Sequence, residues 1–135
     1  MSTTIRPERI AELMKIEEER FLDLHIESTA AFHQSSKVMH EGVPMSWMAK
    51  WPGAHPVIVK EAKGAHFTDL DGHDYIDFCL GDTGSMTGHS PAATVAAVKA
   101  QIDKGITAML PSENAAIVSD LLRERFGLPL WQFTV

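Results

Sequence analysis

Several features that would place a chain in a specialised class are scarce in this sequence. Its 135 residues include one cysteine, Cys79, so no internal disulfide can form and we expect a reducing, cytoplasmic location. The apolar neighbours of Cys79 predict a buried small side chain rather than a nucleophile. No long uncharged apolar run occurs, so we expect neither a membrane span nor a signal peptide. Lys and Arg total 12 against 18 Asp and Glu, and this net charge of −6 argues against a nucleic-acid partner.

Metal-binding patterns are also missing, although the chain has seven histidines. His25, His33 and His40 could share one helix face, but at about 1.5 Å rise per residue they lie more than about 10 Å apart. Four aspartates superficially resemble a calcium loop: Asp69, Asp71, Asp74 and Asp77. An EF-hand needs glycine at its sixth position and glutamate at its twelfth, whereas here Gly72 is fourth and Leu80 is twelfth. We predict no metal site and interpret these aspartates as turn residues of a polar hairpin.

The first third of the chain predicts helices followed by a loop. Residues 7–39 carry apolar side chains near helical spacing, with a charged interruption, and predict one long helix or a pair. Local sequence offers little to cover such a helix, so we expect it to pack on another subunit or on other parts of a longer chain. Residues 41–56 form a loop rich in glycine and proline, whose Trp47 and Trp51 should be covered or should line a pocket.

A β-hairpin and a glycine-rich loop come next. Residues 57–61 predict a strand, and residues 65–68 and 74–78 predict two more, joined by Asp71-Gly72, a strong hairpin signal. Glycine supplies the positive φ that the turn requires. Three glycines then fall within eight residues: Gly81, Gly84 and Gly88. This loop lacks the lysine of a P-loop and the Gly-x-Gly-x-x-Gly spacing, so by itself it is a weak phosphate-binding signal.

Two helices and a strand complete the pattern. Ser90-Pro91 predicts an N-cap and a first-turn proline for a helix over residues 92–104. A second helix is predicted over residues 113–126, because a serine precedes it, a glycine follows it, and its charges suit the helix dipole. Residues 131–135 predict a strand. The chain therefore has the content of a mixed helix and sheet protein.

The order of these elements resembles the class III aminotransferases, which depend on pyridoxal phosphate, and within them the glutamate-1-semialdehyde aminomutase branch. The shared pattern is a small residue and glycine, a strand, Asp-x-Asp-Gly, Tyr-Ile-Asp-Phe, a glycine loop, Gly-His, and a helix with Ala-Val and Gln. The matching residues are Ala62, Gly64, Asp69, Asp71, Gly72, Tyr75, Ile76, Asp77, Phe78, Gly88, His89, Ala97, Val98 and Gln101. The resemblance runs from about residue 41 to residue 135 and departs at Pro91, which lies one position early.

The resemblance implies an α/β fold, locally α+β, that forms the N-terminal portion of a fold-type I enzyme. It divides the chain into an N-terminal helical arm (1–40), a loop on the active-site side (41–56), small-domain strands and hairpin (57–80), and the glycine loop with the first helices and strand of the large, parallel-sheet, cofactor-binding domain (81–135). In this family the phosphate loop and the Schiff-base lysine follow later. We therefore expect both beyond Val135, and no catalytic or cofactor-binding residue within this chain.

The resemblance also implies which residues face the substrate. The aminomutase branch has an arginine for the substrate carboxylate where this chain has Met48, and a tryptophan where it has Asp82. The expected substrate-pocket residues are Ser46, Trp47, Met48, Asp82 and Thr83. Because methionine cannot form the bidentate pair that arginine forms with a carboxylate, we expect an altered substrate preference. The alternatives are that Asp82 caps a turn and that residues 46–48 are structural.

The complete protein is thereby expected to be an aminotransferase with pyridoxal 5'-phosphate as cofactor. It would move an amino group between a small-molecule amino donor and a carbonyl acceptor, as a homodimer. A glutamate-1-semialdehyde-type aminomutase or an amino-acid racemase is the close alternative. From a different class, a non-catalytic assembly or binding module could retain this half of the fold. The 135-residue chain alone is expected to be inactive.

Overall fold

The structure is a computed structural model that describes residues 6–134. These residues form two compact units, one ending at Ala92 and the other beginning at Ala93. The first unit combines helices with a three-stranded antiparallel sheet, and the second contains two helices. No helix within residues 6–134 is both long and apolar enough to cross a bilayer.

Two helices open the first unit: α1 spans Pro7–Leu24 and α2 spans Ile26–Ser35. His25 separates them, because its backbone (φ −120°, ψ 53°) leaves the helical region. Pro7 occupies the first turn of α1, where a missing N–H costs nothing. The prediction of one long helix or a pair is thus confirmed as a pair.

The apolar face of α1 is uncovered within its own unit. No residue of α1 is buried, and the exposed fractions of Ile10, Leu13, Met14 and Leu24 lie between 43% and 54%. Across residues 6–134, the buried hydrophobic core consists of Val43. The other buried side chains are polar, namely those of His25, Ser28, His55 and Asp69. Polar contacts therefore hold the first unit together.

Two short 3-10 turns, His40–Gly42 and Ser46–Lys50, connect α2 to the sheet. Gly42 is buried with φ +73°, and a Cβ there would lie 2.5 Å from the Ser36 Oγ and 2.7 Å from the Phe32 ring. Phe32 in turn stacks on the buried His55 ring at a centroid distance of 5.2 Å. Only glycine allows this close approach of the turn to α2.

The sheet has the order β1-β2-β3, with β1 at Val59–Lys63, β2 at His66–Asp69 and β3 at Asp74–Ile76. All pairs are antiparallel. Phe67 pairs with Tyr75, and their rings stack 4.8 Å apart. The predicted hairpin is confirmed, with Gly72 at φ +88° in its turn. β1 begins two residues and β2 one residue later than predicted, and β3 begins where predicted but ends two residues earlier.

The glycine-rich segment after β3 turns back onto the hairpin. The Gly64 N–H donates to the His89 carbonyl at 2.9 Å, and the His89 N–H donates to the Gly64 carbonyl at 2.7 Å. A Cβ on Gly88 would lie 3.2 Å from the Gly64 backbone, so glycine is needed there. The predicted burial of Cys79 is wrong, since Cys79 is exposed and Phe78 is 93% exposed. Their segment is a series of turns rather than a strand packed on a core.

The second unit contains α3 at Ala92–Ile102 and α4 at Glu113–Phe126. The bounds of α4 are those predicted, and Gly127 ends it in the left-handed conformation (φ +73°) with its N–H bonded to the Arg123 carbonyl.

Two predictions near these helices are wrong. Ser90 does not cap α3, because the helix begins at Ala92 and the Ser90 hydroxyl instead donates to the Ala62 carbonyl at 3.1 Å. Residues 131–134 do not form a strand, since no described segment offers them a backbone hydrogen-bonding partner. The last predicted strand residue, Val135, lies outside the described residues. The Trp131 ring packs near Phe126 instead, at a centroid distance of 5.9 Å.

Candidate functional site

Three of the predicted substrate-pocket residues share one 3-10 turn. Ser46, Trp47 and Met48 all lie in Ser46–Lys50, where Met48 is half-buried and Trp47 is 58% exposed. Trp51 is 48% exposed as well. Neither tryptophan is covered within this chain, and the alternative that they line a pocket stays a prediction.

The other two predicted pocket residues lie in the glycine-rich segment. Asp82 and Thr83 are exposed and adopt positive φ values of 53° and 75°. A positive φ is uncommon outside glycine and strained for a β-branched threonine. No hydrogen bond or ion pair in the described part of the chain joins either residue to residues 46–48. That these five residues share one pocket stays a prediction.

An apolar hollow of about 360 Å³ lies beside α1. Its apolar lining comes from Met14, Phe21 and Leu24 of α1 and from Pro52 and Ala54 of the following loop. None of the five predicted pocket residues lines this hollow. It belongs to the uncovered face of α1 rather than to the predicted substrate site.

The described residues do not suit pyridoxal phosphate. A lysine that forms a covalent adduct with a carbonyl is activated by desolvation or by a neighbouring cation, yet every lysine here is exposed and none lines the hollow beside α1. The seven are Lys15, Lys37, Lys50, Lys60, Lys63, Lys99 and Lys104. None of these lysines lies in an environment of that kind, and the position of the cofactor-binding lysine stays a prediction.

A fully buried carboxylate, Asp69 at the end of β2, organises the first unit. Its Oδ1 accepts the His73 N–H at 2.8 Å, and its Oδ2 lies 2.9 Å from the Tyr75 hydroxyl and 3.1 Å from the His73 Nδ1. Burial raises the pKa of Asp69, but the hydrogen bonds from the His73 N–H, Tyr75 and the His73 ring outweigh it and hold the pKa below its ordinary value. Asp69 is thus ionised inside the protein.

His25 links the helices to this carboxylate. Its Nδ1 donates to the Phe21 carbonyl at 2.7 Å, and its Nε2 lies 2.8 Å from the Tyr75 hydroxyl and 3.5 Å from the Asp69 Oδ2. Burial, together with the hydrogen bond and the charge of Asp69, raises the pKa of Tyr75 to about 12. Tyr75 is therefore a neutral hydroxyl at physiological pH.

Asp71, in the hairpin turn, caps helix α2 from across the fold. Its carboxylate accepts the N–H groups of Glu27 (2.7 Å) and Ser28 (3.0 Å) and the Ser28 hydroxyl (2.6 Å). These are unsatisfied donors of the first turn, where a negative charge also suits the helix dipole. Burial raises the pKa of Asp71, but these three hydrogen bonds lower it to below its ordinary value. Asp71 thus lies in the hairpin turn, as interpreted, and in addition caps α2.

A second histidine–aspartate pair braces the glycine-rich segment. The His89 Nε2 lies 2.6 Å from the Asp77 Oδ2, while the Asp77 Oδ1 accepts the N–H groups of Cys79 and Leu80. The hydrogen bond from His89 contributes most to holding the pKa of Asp77 below its ordinary value. Asp77 rather than Asp82 therefore caps this turn.

Sequence spacing along one helix could not reveal the cluster around Asp69. His25, Asp69 and His73 place one ligand atom each within 4.8 Å of the others. The Tyr75 hydroxyl also contacts His25, although the two residues are 50 positions apart in the chain. The alternation of aspartates along the hairpin was visible, but their partners on α1 and α2 were not. These three residues, with Tyr75, form the buried polar cluster referred to below.

The sequence and structure of this chain were compared with those of known proteins. No protein-family model matches the chain. A glutamate-1-semialdehyde 2,1-aminomutase from Thermoplasma volcanium is 40% identical over 70 residues, which cover 52% of this chain and 17% of that protein.

Two solved structures are also similar. A glutamate-1-semialdehyde-aminomutase from Pseudomonas aeruginosa PAO1 matches 95% of this chain and 28% of its own at a TM-score of 0.85 and 44% identity. A β-phenylalanine aminotransferase from Variovorax paradoxus matches 87% of this chain and 27% of its own at a TM-score of 0.76 and 25% identity. The chain spans between 17% and 28% of the length of these relatives.

Proposed function

We propose that this chain supplies the helical arm and the small-domain sheet of a longer pyridoxal-phosphate-dependent enzyme. It is homologous to the N-terminal part of the glutamate-1-semialdehyde 2,1-aminomutases and of other class III aminotransferases. The observation that carries the proposal is the 44% identity and TM-score of 0.85 over 95% of this chain. The domain limits at residues 40, 56 and 80 are part of the same proposal.

The proposed reaction is transfer of an amino group between a small-molecule amino donor and a carbonyl acceptor. Intramolecular aminomutase activity is the second candidate, because the similar proteins from Thermoplasma volcanium and Pseudomonas aeruginosa are glutamate-1-semialdehyde aminomutases. The proposed assembly is a cytoplasmic homodimer, and the uncovered apolar face of α1 supports it because such a face needs a partner. In this arrangement the chain shapes the site, and a lysine elsewhere in the enzyme attaches the cofactor.

The first test compares this chain with a longer form extended to the length of its relatives. Both are mixed with pyridoxal phosphate, treated with borohydride and analysed by mass spectrometry. We expect about one trapped adduct on the longer form and only substoichiometric, scattered labelling of the 135-residue chain, because its lysines are all exposed. A single stoichiometric adduct on one lysine of the short chain would contradict the proposal.

A second test concerns Met48 and Asp82 in the longer enzyme. If Met48 stands at the place of a carboxylate-binding arginine, Met48→Arg should strengthen binding of substrates with a carboxylate there, by at most about 1.5 to 3 kcal/mol for a charge-assisted pair. An Asp82 carboxylate in the same pocket would compete for the guanidinium. The double variant Met48→Arg with Asp82→Trp should therefore bind carboxylate substrates more strongly than the sum of the two single effects on the binding free energy.

The measurement is KM for a panel of carboxylate and non-carboxylate amines with the two single variants and the double variant. Lys50→Arg, which lies in the same 3-10 turn and is exposed, is the matched control for an added guanidinium. Additive effects of the two changes, or an equal effect of the Lys50→Arg control, would show that these loops do not line one substrate pocket.

A further inference from the structure

The charge of Asp69 has no lysine or arginine to balance it. Within residues 6–134, its ionic contacts are to His25 at 3.5 Å and to His73 at 3.1 Å. A buried ionised carboxylate is costly unless it is paired with a cation or coordinates a metal. Two imidazoles beside one carboxylate are a set of ligands that binds a metal ion in proteins.

The hydrogen-bond roles in the buried polar cluster leave a lone pair beside Asp69. The Phe21 carbonyl can only accept, so in a neutral ring the His25 Nδ1 carries the hydrogen and the Nε2 keeps a lone pair. The Tyr75 hydroxyl has one hydrogen for two contacts, 2.8 Å to the His25 Nε2 and 2.9 Å to the Asp69 Oδ2. A metal ion on the His25 Nε2 would leave that hydrogen to the Asp69 Oδ2 alone.

Two of the three ligand-atom distances are close to those around a tetrahedral ion. Ligands about 2.0 to 2.1 Å from zinc at tetrahedral angles lie about 3.4 Å from one another. The His25 Nε2 and Asp69 Oδ2 are 3.5 Å apart, the His73 Nδ1 and Asp69 Oδ2 are 3.1 Å apart, and all three lie within 4.8 Å. The His25 and His73 rings approach at 4.9 Å between centroids. Small side-chain movements would bring all three onto one ion.

The surroundings of His25 are those of a metal ligand. Its Nδ1–H is bound by the Phe21 carbonyl, and its ring stacks on the Phe21 ring at 4.2 Å, so its Nε2 is aimed at Asp69. A backbone carbonyl on the other ring nitrogen is a common arrangement for histidines that bind metals. Two imidazoles and one carboxylate favour zinc over magnesium or calcium, which prefer oxygen ligands.

We propose that His25, Asp69 and His73 bind a Zn²⁺ ion that ties the end of α1 to the β2–β3 turn. The ligand atoms are the His25 Nε2, the Asp69 Oδ2 and the His73 Nδ1. The His73 side chain is 39% exposed, which gives the ion an entry path and leaves the fourth position to water. The site does not depend on the proposed enzymatic function, since no part of it contacts a predicted substrate-pocket residue.

Zinc binding to the 135-residue chain tests the proposal directly. The chain is freed of metal with a chelator, and bound zinc is measured by equilibrium dialysis and elemental analysis at neutral pH. We expect about one ion per chain, and Co²⁺ in its place should give the visible absorption bands of a four-coordinate site. His73→Gln, which removes a half-exposed ligand, should weaken zinc binding at least tenfold, while circular dichroism checks that its helices are retained.

His66→Gln is the matched control, because His66 is an exposed histidine at the start of β2 and lies outside the cluster. It should bind zinc as the unchanged chain does. Zinc below about one ion per ten chains, or equal losses in both variants, would overturn the proposal. So would a Co²⁺ spectrum typical of six-coordinate aqueous cobalt, which would leave a proton as the positive charge beside Asp69.

Discussion

Replacing Gly42 by alanine is expected to destabilise the first unit by about 2 to 5 kcal/mol, combining a positive-φ cost of about 1 to 2 with an overpacking cost of about 1 to 3. The new methyl group would lie 2.5 Å from the Ser36 Oγ and 2.7 Å from the Phe32 ring. The hydroxyl can rotate away, but Phe32 is held by its stacking on the buried His55. Hydrogen exchange of the α2 amides, read by mass spectrometry, measures the effect locally.

Gly53→Ala separates backbone strain from the clash. Gly53 lies in the same unit with φ +100°, and a Cβ there meets nothing within 4 Å. A φ of +100° at Gly53 suits alanine no better than the +73° at Gly42, so Gly53→Ala carries at least the same backbone strain. Any further loss of stability in Gly42→Ala therefore measures the clash with Phe32. Equal exchange rates in the two variants would mean that the turn does not rest on Phe32.

Removing the carboxylate of Asp69 is the second change with a large expected effect. Asp69→Ala leaves the His73 N–H, the Tyr75 hydroxyl and the His73 ring without their acceptor inside the fold. A buried donor left without an acceptor costs about 1 to 3 kcal/mol, so losing all three contacts removes a large part of the stability of a small domain. In the presence of chelator, so that no metal contributes, we expect the hairpin amides to exchange as in an unfolded chain.

Asp74→Ala is the matched control in the same hairpin. The Asp74 carboxylate is exposed and accepts one hydrogen bond, from the Thr68 hydroxyl at 2.6 Å. Its loss should cost no more than about 1 kcal/mol, as for an ordinary hydrogen bond. A similar loss of protection in both variants would show that the burial of Asp69 contributes nothing.

The sequence was sufficient to predict those helices and turns that depend on residues next to them in the chain. Helix α4 has the predicted bounds: Ser112 occupies the N-cap position, without a side-chain capping hydrogen bond, and Gly127 ends the helix through its own conformation. The turn at Gly72 is equally local, and the hairpin follows from it. The resemblance to class III aminotransferases also rested on this region, and the relatives confirm it.

Features that depend on distant partners could not be predicted. The apolar neighbours of Cys79 suggested burial, but its burial depends on what packs over the turn, and in this chain Cys79 is exposed. The same holds for residues 131–134, whose strand-like composition finds no partner among the described residues. Asp69 was visible as part of a motif, but only the fold brings His25, 44 residues earlier in the chain, beside its carboxylate.

The cap of α2 has a consequence for the order of folding. The first-turn donors of α2, at Glu27 and Ser28, find their acceptor in Asp71, 44 residues later than Glu27 in the chain. Short isolated helices are marginal in water, so the start of α2 should fray until the hairpin has formed and docked. Helix and hairpin thus become stable together, as one cooperative unit. A slip of one residue in the hairpin register would move Asp71 away and leave the first-turn N–H groups of α2 without their acceptor.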